Sequence, residues 1–418
     1  MGWKEQKTIA LLAIAILGTT LGSVPAYAQG EDTTYAVTVA AGDIDRQNTV
    51  VSFPLPSTLS GGAYHLEGPS GRTIALQVGD RTAWFVLDRL RAGAERTYHL
   101  EPGSAHDSGV KLRRRKRALA FAVEERPVLQ YWTKSRPLPR PTIDSIYRRG
   151  GYVHPIRTPS GRVVTGDYPS DHLHHHGLWA AWTKTQFRGR TPDFWNMGEG
   201  TGAVVPMALD SAWSGPVHGG MRARHRYVDE RGAEPITALY EAWTLRVYDV
   251  SSGESGLDYR MFDLTVEQTT ASVSPLILSE YHYGGVALRG RDAWYGPDSA
   301  RFLTSKGKTR ANGNETRARW TYMGGEVDGK QAGIAMLGHP TNVRAPQPVR
   351  IHPKMPYFCF APTQLGTWML APGRPYRAHY RFVVFDGPPD TDALDRLWSD
   401  YAYPPTVTVK RSTARRDR

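Results

Sequence analysis

The sequence predicts an all-β protein. A small N-terminal β-sandwich precedes a large antiparallel β-sandwich, supersandwich-like in size, with one C-terminal helix. Three observations carry this reading. The 418 residues include 42 Gly, 30 Pro, 11 Phe, 12 Trp and 21 Tyr, which favours strands and turns over helix bundles. Short β-branched and aromatic runs recur between Gly/Pro breaks along most of the chain. Only one segment has apolar residues at clear helical spacing.

The elements follow in chain order. Residues 1–28 have the three parts of a secretory signal peptide: Lys4 and Lys7, the short apolar core Ile9 to Leu17, and the cleavage pattern Ala26-Tyr27-Ala28. Residues 31–105 form the first sandwich, with strand-like runs at Ala36–Ala40, Thr49–Phe53, Ile74–Val78 and Ala83–Leu87, broken at Ser60-Gly61-Gly62, Gly68 to Gly71 and Gly79-Asp80. Residues 106–117, charged and ending in Arg113-Arg114-Arg115-Lys116-Arg117, read as a basic linker. Residues 118–405 form the large sandwich. Its strand signals include Leu119–Val123, Tyr240–Val247, Met261–Val266, Ile334–Leu337 and Arg381–Phe385. The helix begins at Asp390 or Thr391, buries Leu394, Leu397, Trp398 and Tyr401, and stops at Pro404-Pro405. Residues 406–418 read as a basic, disordered tail.

Composition narrows the function classes. The net charge of +12 suits an acidic polymer or surface, but no nucleic-acid-binding motif accompanies it. Beyond the leader, no apolar run is long enough to cross a bilayer. Cys359 is the only cysteine. It rules out an intrachain disulfide, and its setting, Tyr357-Phe358-Cys359-Phe360, reads as a buried strand with a packed thiol. P-loop, dinucleotide, nucleophile-elbow and zincin motifs are absent from the sequence.

The most informative segment is Gly166 to Trp179. It places four of the 14 histidines, His172, His174, His175 and His176, within five residues, beside Asp171 and ahead of Gly177-Leu178-Trp179. Imidazole serves both proton transfer near neutral pH and metal ligation. If this stretch is a strand, residues two apart share a face about 6.8 Å apart, and His172 and His176 lie about 13 Å apart. His172 with His174, or His174 with His176, is then a candidate pair for a divalent metal, copper or zinc, completed by ligands from elsewhere.

Four further candidates stand beside it. In Ser279-Glu280-Tyr281-His282-Tyr283-Gly284-Gly285, Glu280 and His282 would share a strand face, a carboxylate and an imidazole suited to acid–base work. Glu241 sits on an otherwise apolar strand face with Trp243, Leu245 and Val247, which calls for a partner or a function. In Gly338-His339-Pro340-Thr341-Asn342-Val343-Arg344, His339 ends a strand and Arg344 is a candidate for holding a carboxylate or sugar hydroxyls, with His352 a weaker addition. In Thr191-Pro192-Asp193-Phe194-Trp195, Asp193 suits hydroxyl binding. Trp195 and Trp179 are aromatic platforms for a sugar ring. A solvated loop or an ordinary strand end is the plain alternative at each.

Taken in order, these motifs resemble the bacterial family of unknown function DUF6807, labelled "PmoA". Its pattern reads roughly D-H-x-H-H-R-G-L-W followed by D-F-W. The counterparts here are Asp171, His172, His174, His175, Gly177, Leu178 and Trp179, then Asp193-Phe194-Trp195. Tyr283-Gly284-Gly285, Gly338 to Arg344, and Tyr380 to Gly387 also match. His176 departs from the pattern, standing where the family has arginine. The resemblance implies a relative of galactose-mutarotase-type sandwiches. It does not imply a genuine methane monooxygenase subunit, which needs several membrane spans.

The expected function is an exported carbohydrate-active enzyme, a glycoside hydrolase or a lyase or epimerase, acting on an oligo- or polysaccharide that carries acidic groups or none. His172, His174, Glu241, Glu280, His282 and His339 are the candidate catalytic groups; Asp171, His175, Trp179, Asp193, Trp195 and Arg344 are the candidate substrate contacts. A hydrolase needs two carboxylates, for which Glu241 and Glu280 are the pair. A lyase or epimerase needs a base for a carbon-bound proton, a role for His172, His174 or His282. A non-catalytic glycan-binding protein and a His-ligated metal protein are the alternatives.

Overall fold

The computed structural model describes residues 34–59, 62–103, 109–250 and 257–412. The predicted signal peptide lies outside them. The architecture is all-β with one α-helix, Thr391–Ala402.

The first sandwich packs a five-stranded sheet on a three-stranded one. The three-stranded sheet runs Arg46–Pro54, Thr82–Leu90, Gln77–Gly79. Strand Thr34–Ala40 alternates half-buried and buried side chains, as a two-residue period requires, and its Val37 and Val39 enter a core with Phe53, Leu66, Phe85 and Leu100. The predicted run Ile74–Val78 splits at buried Leu76: Thr73–Ala75 joins the larger sheet and Gln77–Gly79 the smaller.

Two expectations are corrected here. The predicted disordered tail contains strand Thr406–Ser412, which pairs antiparallel with Thr34–Ala40 from Thr34↔Ser412 to Ala40↔Thr406. Its alternation of Val407 and Val409 with threonines lays both valines on the N-terminal core, a pattern hidden by the basic residues that follow. The predicted linker contains strand Val110–Arg114, the edge of a nine-stranded sheet paired to Ala118–Val123. Lys111 and Arg113 meet Glu125, 2.5 and 2.8 Å away. Basic side chains on an edge strand discourage pairing with another chain.

The large sandwich stacks that nine-stranded sheet against an eight-stranded one, whose order is Gly202–Trp213, His218–Asp229, Ile236–Tyr248, Tyr259–Thr270, Tyr376–Asp386, Lys330–Gly338, Trp320–Val327, Arg301–Thr304. Side chains from both inner faces, including Tyr131, Trp179, Trp243, Phe262 and Phe358, fill one core. Asp390 caps the helix by accepting the Ala393 N–H at 3.0 Å. Leu394, Leu397 and Trp398 then pack on the outer face of the eight-stranded sheet with Met261, Val383 and Phe385. The helix also binds the first sandwich, since buried Asp400 takes Arg46 at 2.9 Å and Thr49 at 2.9 Å. No helix among the described residues is long and apolar enough to cross a membrane.

Candidate functional site

The histidine segment is a compact turn, not the strand that the spacing argument assumed. The His172 N–H donates to Pro169 O at 3.3 Å, the His175 N–H to His172 O at 2.8 Å, and the Tyr168 N–H to His175 O at 3.2 Å. The physical reason is the Pro-Ser-Asp sequence at 169–171, which is turn chemistry. Curling brings three rings together. His172 and His174 have centroids 5.5 Å apart, His172 and His175 5.0 Å, and His174 and His175 4.7 Å. Gly177 is required where the turn enters strand Leu178–Ala181, because a Cβ there would lie 2.2 Å from Val153 O.

His176 faces the other way. It is fully buried, bonds Asp167 through Nδ1 at 2.7 Å, and packs on Tyr152. Asp167 also accepts from Tyr152 at 3.0 Å and from Arg136. Burial opposes its ionisation, but His176 and the nearby cations hold the carboxyl below its usual range. His176 thus serves the core, not the cavity.

His172, His174 and His175 line a cavity of about 240 Å³ with His282, His352, Arg350, Asn196, Trp195, Tyr283 and Tyr357. Its aromatic wall is closely built, with Trp195 to Tyr283 at 5.2 Å and His175 to Tyr357 at 4.9 Å. Trp179 lies behind this wall, 5.0 Å from His175 and 5.1 Å from Trp195, so it supports and does not line the cavity. Asp193 orients the wall: its carboxylate accepts the backbone N–H groups of Trp195 and Asn196 at 2.8 and 2.9 Å, the Asn196 amide at 2.8 Å and the Thr183 hydroxyl at 2.8 Å. Asp171 accepts from Arg289 at 3.0 Å, while the same guanidinium donates to His175 Nδ1 at 3.4 Å, which places the His175 proton on Nε2. His172 Nδ1 lies 3.2 Å from Asp171 without hydrogen-bond geometry.

Burial lowers His174, His175, His282 and His352 below the ordinary imidazole range. Burial, reinforced by His172 and His176, pushes His174 down to about 3. Burial, then Arg350, pushes His352 down to about 4, and the same two causes lower His282. His352 Nδ1 accepts the N–H groups of Lys354 and Met355 at 3.1 and 2.9 Å, so its proton sits on Nε2. Among the described residues no group hydrogen-bonds the rings of His174 or His282. Tyr283 accepts from Asn196 at 3.0 Å, leaving its own O–H to donate, and burial raises it to about 12.

His282 reaches the cavity from a loop. The expected strand shared with Glu280 does not form; the segment links strands Leu276–Leu278 and Gly285–Arg289. Gly284 and Gly285 make this bend at φ 137° and 100°, and a Cβ on Gly285 would lie 2.9 Å from Phe360 O. Glu280 is exposed and lies outside the lining.

Three other expected site residues lie elsewhere. Glu241 is buried in the sandwich core, where it bonds His225 at 2.8 Å, Tyr227 at 2.9 Å and Gln268 at 2.8 Å, with Tyr131 closing on His225 at 2.7 Å. The partner that its apolar face called for is therefore structural. His339 does end a strand, but its Nδ1 bonds Thr341 at 2.7 Å and its ring packs 4.9 Å from Tyr401 of the helix. Arg344 donates to Pro362 O and Gly366 O, both at 2.7 Å, so its cation pins a loop. No carboxylate lines the cavity among the described residues, so the Glu241–Glu280 pair is not assembled. Nor are three or more His, Cys, Asp or Glu side chains grouped there to hold a metal.

Asn196, Arg350 and Tyr357 were missed. A signal for Arg350 was present: in Val349-Arg350-Ile351-His352 the two valine-like residues are buried and alternate with Arg350 and His352, which therefore share the opposite face.

No curated protein matches this chain. Among solved structures it is similar to a protein in the glycosyl hydrolase family 38 from Enterococcus faecalis, at 9% identity and TM-score 0.46, covering 92% of this chain and 49% of that one. It is also similar to an alpha-mannosidase from Enterococcus faecalis V583, at 10% identity and TM-score 0.46, covering 92% and 47%. The chain thus spans about half the length of these structures. The profile of one family of unknown function matches residues 118–399, which contain every cavity residue and well over half of the sequence, and the chain belongs to that family, DUF6807.

Proposed function

We propose that this protein is a carbohydrate-active enzyme that moves a carbon-bound proton, a lyase or epimerase acting on an acidic sugar unit. One observation carries the reading: His174 and His282, held neutral with unengaged rings, face a small aromatic-walled cavity that no carboxylate lines. Glycoside hydrolysis by paired carboxylates lacks its residues there, whereas a neutral imidazole can accept a proton, and His282, lowered less strongly than His174, is the stronger base of the two. Aromatic faces beside polar donors suit a sugar ring.

In this mechanism His174 or His282 takes the proton on the carbon next to the sugar carboxylate. The released electron pair moves onto that carboxylate, whose charge Arg350 offsets; the guanidinium has one hydrogen bond, to Asn314 at 3.1 Å, to hold its direction. In elimination the pair returns to expel the neighbouring glycosidic oxygen, which takes up the proton that the imidazolium now carries, so the base is neutral again. In epimerisation the carbon is reprotonated from the opposite face. The proposal includes export after removal of residues 1–28 and the relation to galactose-mutarotase-type sandwiches implied by the motif order.

Mature protein incubated with neutral and acidic oligosaccharides, with products followed by mass spectrometry, tests the reading. A new double bond without added water, or proton exchange from solvent at constant mass, is expected. A product that has gained water would overturn it in favour of hydrolysis. Saturable binding without any product would make the protein a glycan-binding module. Because His172 and His174 remain adjacent, elemental analysis of untagged protein checks the metal alternative; one equivalent of copper or zinc would favour it.

A further inference from the structure

A second cavity of about 610 Å³ adjoins the histidine cavity. The two share Asn196 and Tyr283, which are joined by a 3.0 Å hydrogen bond and form a common wall. The sequence Tyr281-His282-Tyr283 straddles this wall. His282 lines the first cavity, Tyr281 the second, and Tyr283 both. The same Gly284-Gly285 bend therefore positions both chambers.

The chambers differ in size and chemistry. Small-molecule sites run from roughly 300 to 1,000 Å³. The histidine cavity falls below that range and fits a single ring, whereas the second lies well inside it. Its lining is polar, with Lys184, Gln186, Arg231, Glu199 and Ser279 among the residues that reach it. Lys184 holds its ammonium 5.1 Å from the Tyr281 ring centroid, a cation–π contact that positions the charge without neutralising it. The lining carries two cations, Lys184 and Arg231, and two carboxylates, Glu199 and Asp193; because Thr183, Asn196 and two backbone N–H groups occupy the Asp193 carboxylate, the cations stay available to a carboxylate on a ligand.

We propose that the second cavity is a subsite for the next unit or units of an acidic oligosaccharide whose reacting ring occupies the histidine cavity. This rests on the proton-transfer reading of that cavity and names its substrate as a chain of at least two sugars. The Tyr283 hydroxyl and Asn196 amide, at the boundary, lie where a glycosidic linkage would cross.

The experiment is a length series of oligogalacturonates and oligomannuronates, from one to five units, with affinity read by calorimetry and products by mass spectrometry. Wild type is compared with H174A, with the double variant K184A/R231A, and with E199W, which places a bulky ring in the second cavity. The three substituted positions outside the histidine cavity, Lys184, Glu199 and Arg231, are exposed, and unchanged thermal unfolding confirms that each variant folds. Affinity should rise at least about tenfold from one unit to three in wild type. K184A/R231A and E199W should lose that gain while binding the single unit unchanged; H174A should keep the gain and form no product. Length-independent affinity in wild type, or a gain that survives in both second-cavity variants, would overturn the subsite. That result with turnover still abolished by H174A leaves the enzymatic reading standing. A length gain without product from wild type does the reverse, and failure to bind any oligouronate removes both.

Discussion

Two histidine sites in the large sandwich, one around His225 and one around His174 and His282, are opposites. At His225 the ring is clamped between Glu241 and Tyr131, at 2.8 and 2.7 Å, and Tyr227 and Gln268 satisfy the other carboxylate oxygen. At His174 and His282 the rings are half-buried, and their hydrogen-bonding capacity is left over and turned to a cavity. His225, in contrast, is fully buried. What separates a fold-specifying polar cluster from a reactive one is whether its donors and acceptors are used up internally.

The largest effect that tests this contrast is at Glu241. Glu241→Ala leaves a buried imidazole, a phenol and an amide without their acceptor, and should cost about 3–5 kcal/mol in urea unfolding. A loss below about 1 kcal/mol would show that the network is not structural and erase the contrast. Next come His174→Ala and His282→Ala, each expected to lower turnover at least about 100-fold with little change in unfolding midpoint. Unchanged turnover in both would sink the site.

The pH profile sharpens the same contrast. The catalytic base must be neutral; His174 is held at about 3, His282 is lowered, and His352 beside them is held at about 4. Turnover should therefore persist to about pH 5, where an ordinary imidazole near 6.5 is already protonated. Stability carries the matching sign. These rings take up protons near 6.5 in the unfolded chain but not in the folded one. Their contribution is complete above about 6.5 and declines as pH falls through about 4, which a urea midpoint measured against pH reads directly. A midpoint that stays flat from pH 7 to 4.5 would contradict neutral burial. The smallest effects are expected away from both clusters. His339→Ala should lose about 1 kcal/mol, through its Thr341 bond and helix contact, and leave turnover within about twofold. Glu280→Ala, exposed and off the lining, should change neither quantity measurably.

The sequence made the strands, the capped helix and the all-β class legible, because two-residue alternation and Asp390 before an amphipathic run are local signals. It also pointed to the right segments for the cavity: His172, His174, His175, His282 and Trp195 all line it. It failed where geometry depends on long-range contact. Residues 169–171 curl the histidines into a turn, so ring distances inferred from an extended chain were wrong. Glu241, His339 and Arg344 have suitable chemistry, but their partners lie outside their own segments, at His225 on the neighbouring strand, Tyr401 of the helix and Pro362. Asn196 reaches the site only because Asp193 folds its own loop around it. The two misread basic segments share one cause: charge suggested solvation, while period-two alternation beneath it built edge strands.

The antiparallel pairing of Thr34–Ala40 with Thr406–Ser412 makes the described chain a closed circuit. The earliest strand waits for the latest before its edge is covered, so the small sandwich forms through contacts of the greatest sequence separation and should be among the last parts to consolidate. Removing the final strand would bare a hydrogen-bonding edge ready to recruit another chain. Joining Ser412 to Thr34 by a short flexible peptide and opening the ring in the surface turn at residues 230–235 should, in contrast, give a circular permutant that keeps the same histidine cavity, since that cavity does not depend on where the chain starts.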